Sequence, residues 1–248
     1  MQNNLFATRQ TADVDIRILE TKVPFLFFDK ANTTTAGMSG DSTYANAKGT
    51  RAIAFQNPVE GTMTIEAQVV PFKFYALLGN GKIESTGVMA VKEEIKATAA
   101  GTISVPTDKG TIIDGSVYIY PVDGWGDEDL AIKGTYADGT FTATIADDIE
   151  SGKSYAVGYI LNKDNVNRVS LGTNYLPKDY FITMSTVEKD ENGVLAPFIM
   201  TAYKASIQRN LELSHASGGD PTSITLTFDL LDDKQGQFLD LIEDTTTV

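Results

Sequence analysis

The chain has no cysteine, one histidine and one tryptophan. Without cysteine there is no disulfide framework, no thiolate zinc site and no cysteine nucleophile. The lone His215 stands in the polar turn HASGGDP and reads as a surface side chain, since nothing in its position argues a Ser–His–Asp arrangement. A Walker loop, an HExxH pair and a glycine-rich dinucleotide motif are also missing. Long apolar runs are absent. The early run Val23–Phe28 is broken by Pro24, and nothing approaches the roughly 18–20 residues of a spanning helix. The start, MQNNLFATRQ, is too polar for a secretory signal, so a soluble protein without membrane anchoring is expected. Bases are scarce as well. Lys+Arg 20 against Asp+Glu 33 leaves a net charge of -13, which repels phosphate and argues against tight nucleic-acid binding. Such a surface still suits DNA that slides without sticking.

What remains is β-strand material. At 248 residues and 42% hydrophobic, the chain has room for one large β-domain, or a core with a small insertion. Asp13, Asp15 and Arg17 alternate with Val14, Ile16 and Ile18, and Val23–Asp29 forms a second, more buried strand. Arg51–Gly79 reads as strand, acidic turn, strand and a Pro71-led helix, whose shared face is Phe72, Tyr75, Ala76 and Leu77. Met63, Ile65, Ala67 and Val69 alternate there with Thr62, Thr64, Glu66 and Gln68. Val88–Lys96 is a further candidate strand. Late in the chain, Tyr180–Glu188, Val194–Tyr203 and Lys204–Ser214 read as long strands. Ile224, Leu226, Phe228 and Leu230 then alternate cleanly with Ser223, Thr225, Thr227 and Asp229. Gln235–Glu243 is expected to form a short terminal helix. Lys30–Gly49 carries almost no large apolar side chain and is expected to be a long extended loop, either a surface loop or an arm that orders against a neighbouring molecule.

From about Gly101 the texture changes to short strands punctuated by Gly and Asp turns, with a strong hairpin signal at Asp138-Gly139. Here Asp123-Gly124-Trp125-Gly126-Asp127-Glu128-Asp129 gathers acids around the sole tryptophan. It lacks EF-hand spacing, although oxygen ligands for calcium come from many loops. A sugar-stacking turn is another reading, and a solvated acidic hairpin tip the simplest. Glu93-Glu94 and Asp232-Asp233 read as surface charge. Neither a catalytic group nor a metal or cofactor site is expected. The fold class is mainly β: a sandwich or barrel-like core with one lateral α-helix, a long extended loop and an inserted β-module. The expected division is 1–100 and 176–248 for the core and 101–175 for the insertion.

The order of features in Arg51–Gly79, with the later segments Ala205-Ser206-Ile207-Gln208-Arg209-Asn210 and SITLTFDLLDDKQG, resembles bacteriophage tail tube proteins across about 1–98 and 180–248. The resemblance implies a structural virion protein and no enzyme. Six copies would form a ring, and stacked rings would form the channel for genome delivery. The implied partners are further copies of the chain, the tape measure and other tail proteins, and a sheath if the tail is contractile. Viral DNA would pass without specific binding, and assembly would occur in the host cytoplasm. Within that frame, Thr64, Glu66, Gln68, Gln208, Asn210, Glu212, Thr225, Thr227 and Asp229 are the candidates to face the lumen. Thr33, Thr34, Thr35, Met38, Ser42 and Tyr44 are the candidates for an inter-ring arm. The alternative is a β-rich carbohydrate-binding or adhesion module, suggested by Trp125, ten tyrosines and twelve phenylalanines. Self-association separates the two.

Overall fold

The computed structural model describes residues 5–215, 217–219 and 221–244. Met1–Asn4 of the polar start, and Ala216 and Asp220 of the histidine turn, lie outside them. The chain divides into two compact units, residues 1–82 with 169–248 and residues 83–168.

The first unit opens with β1 (Phe6–Thr8), β2 (Asp13–Ile18), β3 (Pro24–Phe28), β4 (Thr33–Ser39), β5 (Ser42–Ala47), β6 (Thr50–Gln56), β7 (Glu60–Ala67) and the helix α1 (Lys73–Ala76). The second unit holds β8 (Glu84–Lys96), β9 (Thr102–Ser104), β10 (Thr111–Ile112), β11 (Tyr118–Pro121), β12 (Gly134–Ala137), β13 (Thr140–Ala143) and β14 (Ser154–Arg168). The chain then returns to the first unit with β15 (Asp179–Asp190), β16 (Leu195–Ile207), β17 (Ile224–Leu230) and β18 (Leu239–Glu243). The fold is thus mainly β, built from several antiparallel sheets with one short α-helix among the described residues.

A nine-stranded antiparallel sheet dominates the first unit. Its order is β3-β2-β15-β16-β17-β7-β4, with β1 added to β15 and β18 to β16. The sheet curls without closing into a barrel. Ala12, just before β2, donates its N–H to Thr34 Oγ1 on β4 at 2.9 Å, although four strands separate β2 from β4 along the sheet. The inward side is apolar: Val14, Ile16, Met63, Ile65, Leu226 and Phe228 are fully buried. Pro71 starts the helical turn by accepting from the Phe74 N–H at 2.9 Å, and Phe74, Leu77 and Leu78 close over that core. Phe74 therefore points inward where Phe72 was expected; Phe72 is exposed and rests edge-on against Tyr75.

Three expected elements are different. Lys30–Gly49 is not a long loop. Asn32 donates to Glu66 O at 2.8 Å, β4 pairs with β7 from Thr33↔Glu66 to Ser39↔Glu60, and β5 pairs with β6. A ladder needs only backbone donors and acceptors, so small polar residues sustain it when the partner strand supplies the burial. The two strands expected across Val194–Ser214 are one, β16, ending at Ile207. Tyr180 faces Ala205 and Ile182 faces Ala202, so β16 carries one extra residue between them. This bulge turns both alanines inward and shifts the alternation by one, which mimics a strand break. The expected helix at Gln235–Glu243 is instead β18, paired with Phe198–Ala202. Because β17 covers only Ala205–Ile207 of β16, the edge before it is open, and Leu239–Glu243 satisfies it.

The second unit begins at Ile83 rather than at 101 and ends at Arg168 rather than at 175. Strand β8 pairs along nearly all of β14, from Lys96↔Ser154 to Glu84↔Arg168, and so belongs with it. The sheet β10-β14-β11 with β8 and the sheet β12-β13-β9 share one core that includes Ile103, Ile119, Phe141, Ile149 and Val157. The expected hairpin at Asp138-Gly139 joins β12 to β13, with φ of 47° and 78° at the two turn residues, as a two-residue turn between twisted strands requires. Tyr159 donates to Glu93 Oε1 at 2.7 Å, and Lys109 forms an ion pair with the same carboxylate.

Two stability tests follow from the first unit. Phe228 is fully buried, so Phe228→Ala should lower unfolding stability by ~3–5 kcal/mol in denaturant titration. Tyr180 is also fully buried, and its hydroxyl has no hydrogen-bond partner among the described residues. Burial pushes its pKa up from 10.0 to about 12. The neutral ring is thus favoured by folding, and that contribution is complete below pH 10 and lost as pH rises toward 12. Tyr180→Phe should raise stability by about 1 kcal/mol at neutral pH and flatten this alkaline loss, both read from unfolding midpoints.

Candidate functional site

Directly opposed residues of an antiparallel ladder point to the same side of the sheet, so the register maps the face turned away from the core. One row runs Asp179, Ser206, Asp229, Thr62, Gly37; a second runs Thr227, Thr64, Thr35; a third runs Thr225, Glu66, Thr33. A fourth row, Asp15, Thr183, Thr201, Asp240, continues the face across the other half of the sheet. From Ser206 across β17, β7 and β4 the result is a surface of hydroxyls and carboxylates; in the other half the apolar side chains of Phe27 (opposite Asp15), Phe181 and Ile199 lie on the same side and interrupt it.

Local bonds hold this surface in place. Thr64 Oγ1 and Thr227 Oγ1 lie 3.4 Å apart, and Gln208 Nε2 donates to Asp229 Oδ1 at 2.7 Å. Tyr203 donates its hydroxyl to Asp240 Oδ2 at 2.6 Å, and this bond raises the Tyr203 pKa. The named cations are already engaged: Arg17 pairs with Asp15 at 2.6 Å and Lys204 with Asp179 at 3.3 Å. Asp13 and Glu66 have no cationic partner among the described residues. The surface is therefore net acidic, and it offers no cluster of three or more His, Asp or Glu able to hold a metal ion among the described residues.

Of the residues expected on a channel wall, Thr64, Glu66, Thr225, Thr227, Asp229 and Gln208 come together here. Gln68 lies just past the end of β7 and reaches Pro221 O at 3.1 Å. Asn210 and Glu212 are exposed in irregular chain after β16, not on a strand. The backbone departs there because the Gln208 N–H to Thr227 O bond is the last of the ladder, and the Arg209 guanidinium bonds Gly172 O. The candidate arm residues are divided. Thr33 and Thr35 share the polar face, Thr34 points to the core side with Ile65, and Met38 stands exposed near the end of β4. Only Ser42 and Tyr44 lie on a projecting element.

That element is the β5–β6 ribbon, which pairs with nothing but itself. Its base is closed by the Asn57 N–H to Asp41 O bond at 3.0 Å, and its tip turns at Lys48 and Gly49, both with positive φ. Ile53 and Phe55 share one side of the ribbon and are 58% and 57% exposed. Tyr44, 40% exposed, lies on the other, with the Arg51 guanidinium 4.2 Å from its ring centre. Residues 42–56 include Lys48 and Arg51 and no acid, the opposite sign to the chain as a whole. Ile53, Phe55 and Arg51 were not among the candidates, although their alternation in RAIAFQ was visible; what was hidden is that no other strand covers them.

Among the described residues no helix is long and apolar enough to cross a membrane. No curated protein matches the chain. Residues 6–241 match the YomU/Tube protein family, spanning both units, and the chain therefore belongs to this phage tail tube family.

Proposed function

We propose that this chain is the repeating subunit of a tail tube built from stacked six-membered rings, with the polar face of the nine-stranded sheet as the wall of the DNA channel. Family membership carries the structural role in the tail tube, as a virion component assembled with other tail proteins. The supporting observation for the rest is the pairing of a polar, net acidic face over β17, β7 and β4 with a sheet that is open at both ends. Strands β3 and β4 end the order, so their outer backbone groups are free to pair with neighbouring copies. Six subunits joined in this way close the sheet around a lumen, as no single copy does. Carboxylates without cations then face the passing phosphates and repel them, while threonine hydroxyls give them little to hold.

The β5–β6 ribbon is the ring-to-ring arm of this proposal. A two-stranded ribbon exposed on both sides is marginal in water by itself. Its exposed Ile53 and Phe55 and its positive charge fit an apolar, acidic surface on the next copy. The tape measure would lie in the lumen, and a sheath, where the tail is contractile, would pack outside; assembly would take place in the host cytoplasm.

Replacing Ser42–Gln56 by two glycines spans a gap that the Asp41–Asn57 bond already closes. The variant should stay folded by circular dichroism and form no tubes by electron microscopy under conditions where the intact chain forms hollow ones. Tubes of normal length from the shortened chain would refute the arm. The wall is tested by Asp13→Lys, Glu66→Lys and Asp229→Lys together. Tubes of this variant should retain DNA at low salt and release it as salt rises, whereas wild-type tubes retain none. Equal DNA retention by the two would place the face elsewhere than on the channel.

A further inference from the structure

The second unit carries a feature that tube building does not use. The loop after β11 folds back so that the Trp125 ring lies over Gly158, in the middle of β14. A side-chain Cβ at Gly158 would sit 1.8 Å from the ring, so only glycine admits it. Glycine inside a strand weakens the strand, and its use is explained when another group approaches this closely. Beside it, Tyr120 and Trp125 stand with ring centres 5.1 Å apart at 60°, which makes a corner rather than a flat stack. Tyr118 pairs with Gly158 in register and so projects from the same side. These rings line a cavity of about 500 Å³, a size usual for small-molecule sites.

The aromatic groups are accessible. Trp125 is 41% exposed and Tyr118 56%, in a unit where Tyr155, Tyr159 and Phe141 are buried and Tyr120 and Tyr136 half-buried. Asp114 and the Tyr118 hydroxyl at the cavity have no hydrogen-bond partner among the described residues. The underside is firm: Tyr159 on the neighbouring position of β14 is tied to Glu93, and Lys109 to the same carboxylate. Hydrogen bonds from Lys109 and Tyr159 lower the Glu93 pKa against the opposing effect of burial, so this anchor stays ionised at neutral pH.

The charges select the ligand. The Lys92 ammonium already lies 4.8 Å from the Trp125 ring centre, so a cationic ligand meets repulsion where it would stack. Asp123, Asp127, Glu128 and Asp129 surround the tryptophan in sequence, and Asp114 is at the cavity, so an anionic ligand is repelled from the other side. What remains is a neutral ligand with apolar faces and a rim of hydroxyls. A hexopyranose has that character: its C–H face stacks on an aromatic ring, and its hydroxyls take up the unpaired carboxylate and phenol.

We propose that the Trp125–Tyr118–Tyr120 corner of the second unit is a binding site for neutral hexose-based glycans, so that each tube subunit also carries a saccharide-binding module. This does not depend on how the first unit assembles. Trp125 is the only tryptophan, so its fluorescence reports the site alone. The full-length chain is titrated with neutral gluco-, manno-, galacto- and N-acetylglucosamine hexasaccharides. At least one should produce a saturable change in emission. Tyr118→Ala, at an exposed position, should keep the fold by circular dichroism and weaken that binding by about tenfold, the equivalent of one ring lost. A second variant, Gly158→Val, should displace the indole and abolish the response; calorimetry with the same sugar reads it independently of fluorescence. Absence of a saturable response to all four sugars would overturn the proposal. So would unchanged affinity in both variants, or shielding of Trp125 from acrylamide only when another protein is bound, which would make the corner a protein interface.

Discussion

Burial of one side of a curled antiparallel sheet is the constraint on which the rest of the first unit depends. Side chains alternate strictly along a strand, so placing Met63, Ile65, Leu226 and Phe228 in the core sends Thr62, Thr64, Thr227 and Asp229 to the opposite face. A slip of one residue would exchange the two sets and put carboxylates into the core. The acidic surface is therefore held by the same free energy that folds the unit. It needs no separate interactions to assemble it, and the few it has, such as Gln208 to Asp229, refine side-chain positions.

The same constraint explains why the sheet tolerates so many small polar residues. β4 contributes little apolar surface, yet its backbone is fully laddered to β7, whose inner residues are buried by the opposite part of the curl and by α1. The cost is two unpaired edges and a ribbon exposed on both sides. In an isolated monomer those features invite nonspecific pairing. In a protein of the tail tube family they are available for assembly. The two units thus differ in surface: the first keeps open edges and a polar face over β17, β7 and β4, and the second pairs its long strands β8 and β14 and displays Trp125 and Tyr118.

Much of this was legible in the chain itself. The mainly β class, the absence of cysteine chemistry, the acidic balance, the Pro71 turn and the Asp138-Gly139 hairpin are local properties, set by alternation and by backbone preferences at single residues. Five of the nine candidates for the channel wall share one sheet face because β7 and β17 alternate without interruption, and Gln208 joins them through its bond to Asp229. Asn210 and Glu212 were misplaced because the alternation continues in the sequence after β16 has ended at Ile207, and where a ladder stops depends on its partner strand rather than on the strand's own pattern. The terminal strand β18 read as a helix because its partner edge, Phe198–Ala202, is about forty residues away in sequence.

Alternation along each strand, then, is determined by the sequence alone, because it depends on neighbouring side chains and the two-residue repeat of the extended chain. Which strands lie side by side was decided only in the tertiary structure. Pairing of β17 with β7, or of β4 with β7, satisfies backbone groups that are identical at every position, and the choice among partners is made by the core they jointly enclose. The boundary of the second unit at Ile83 follows for the same reason, since β8 joins whichever core its partner β14 builds. So does the seat of Trp125: the indole and Gly158 are distant in sequence, and only the folded sheet brings the one residue without a side chain beneath the largest ring in the chain.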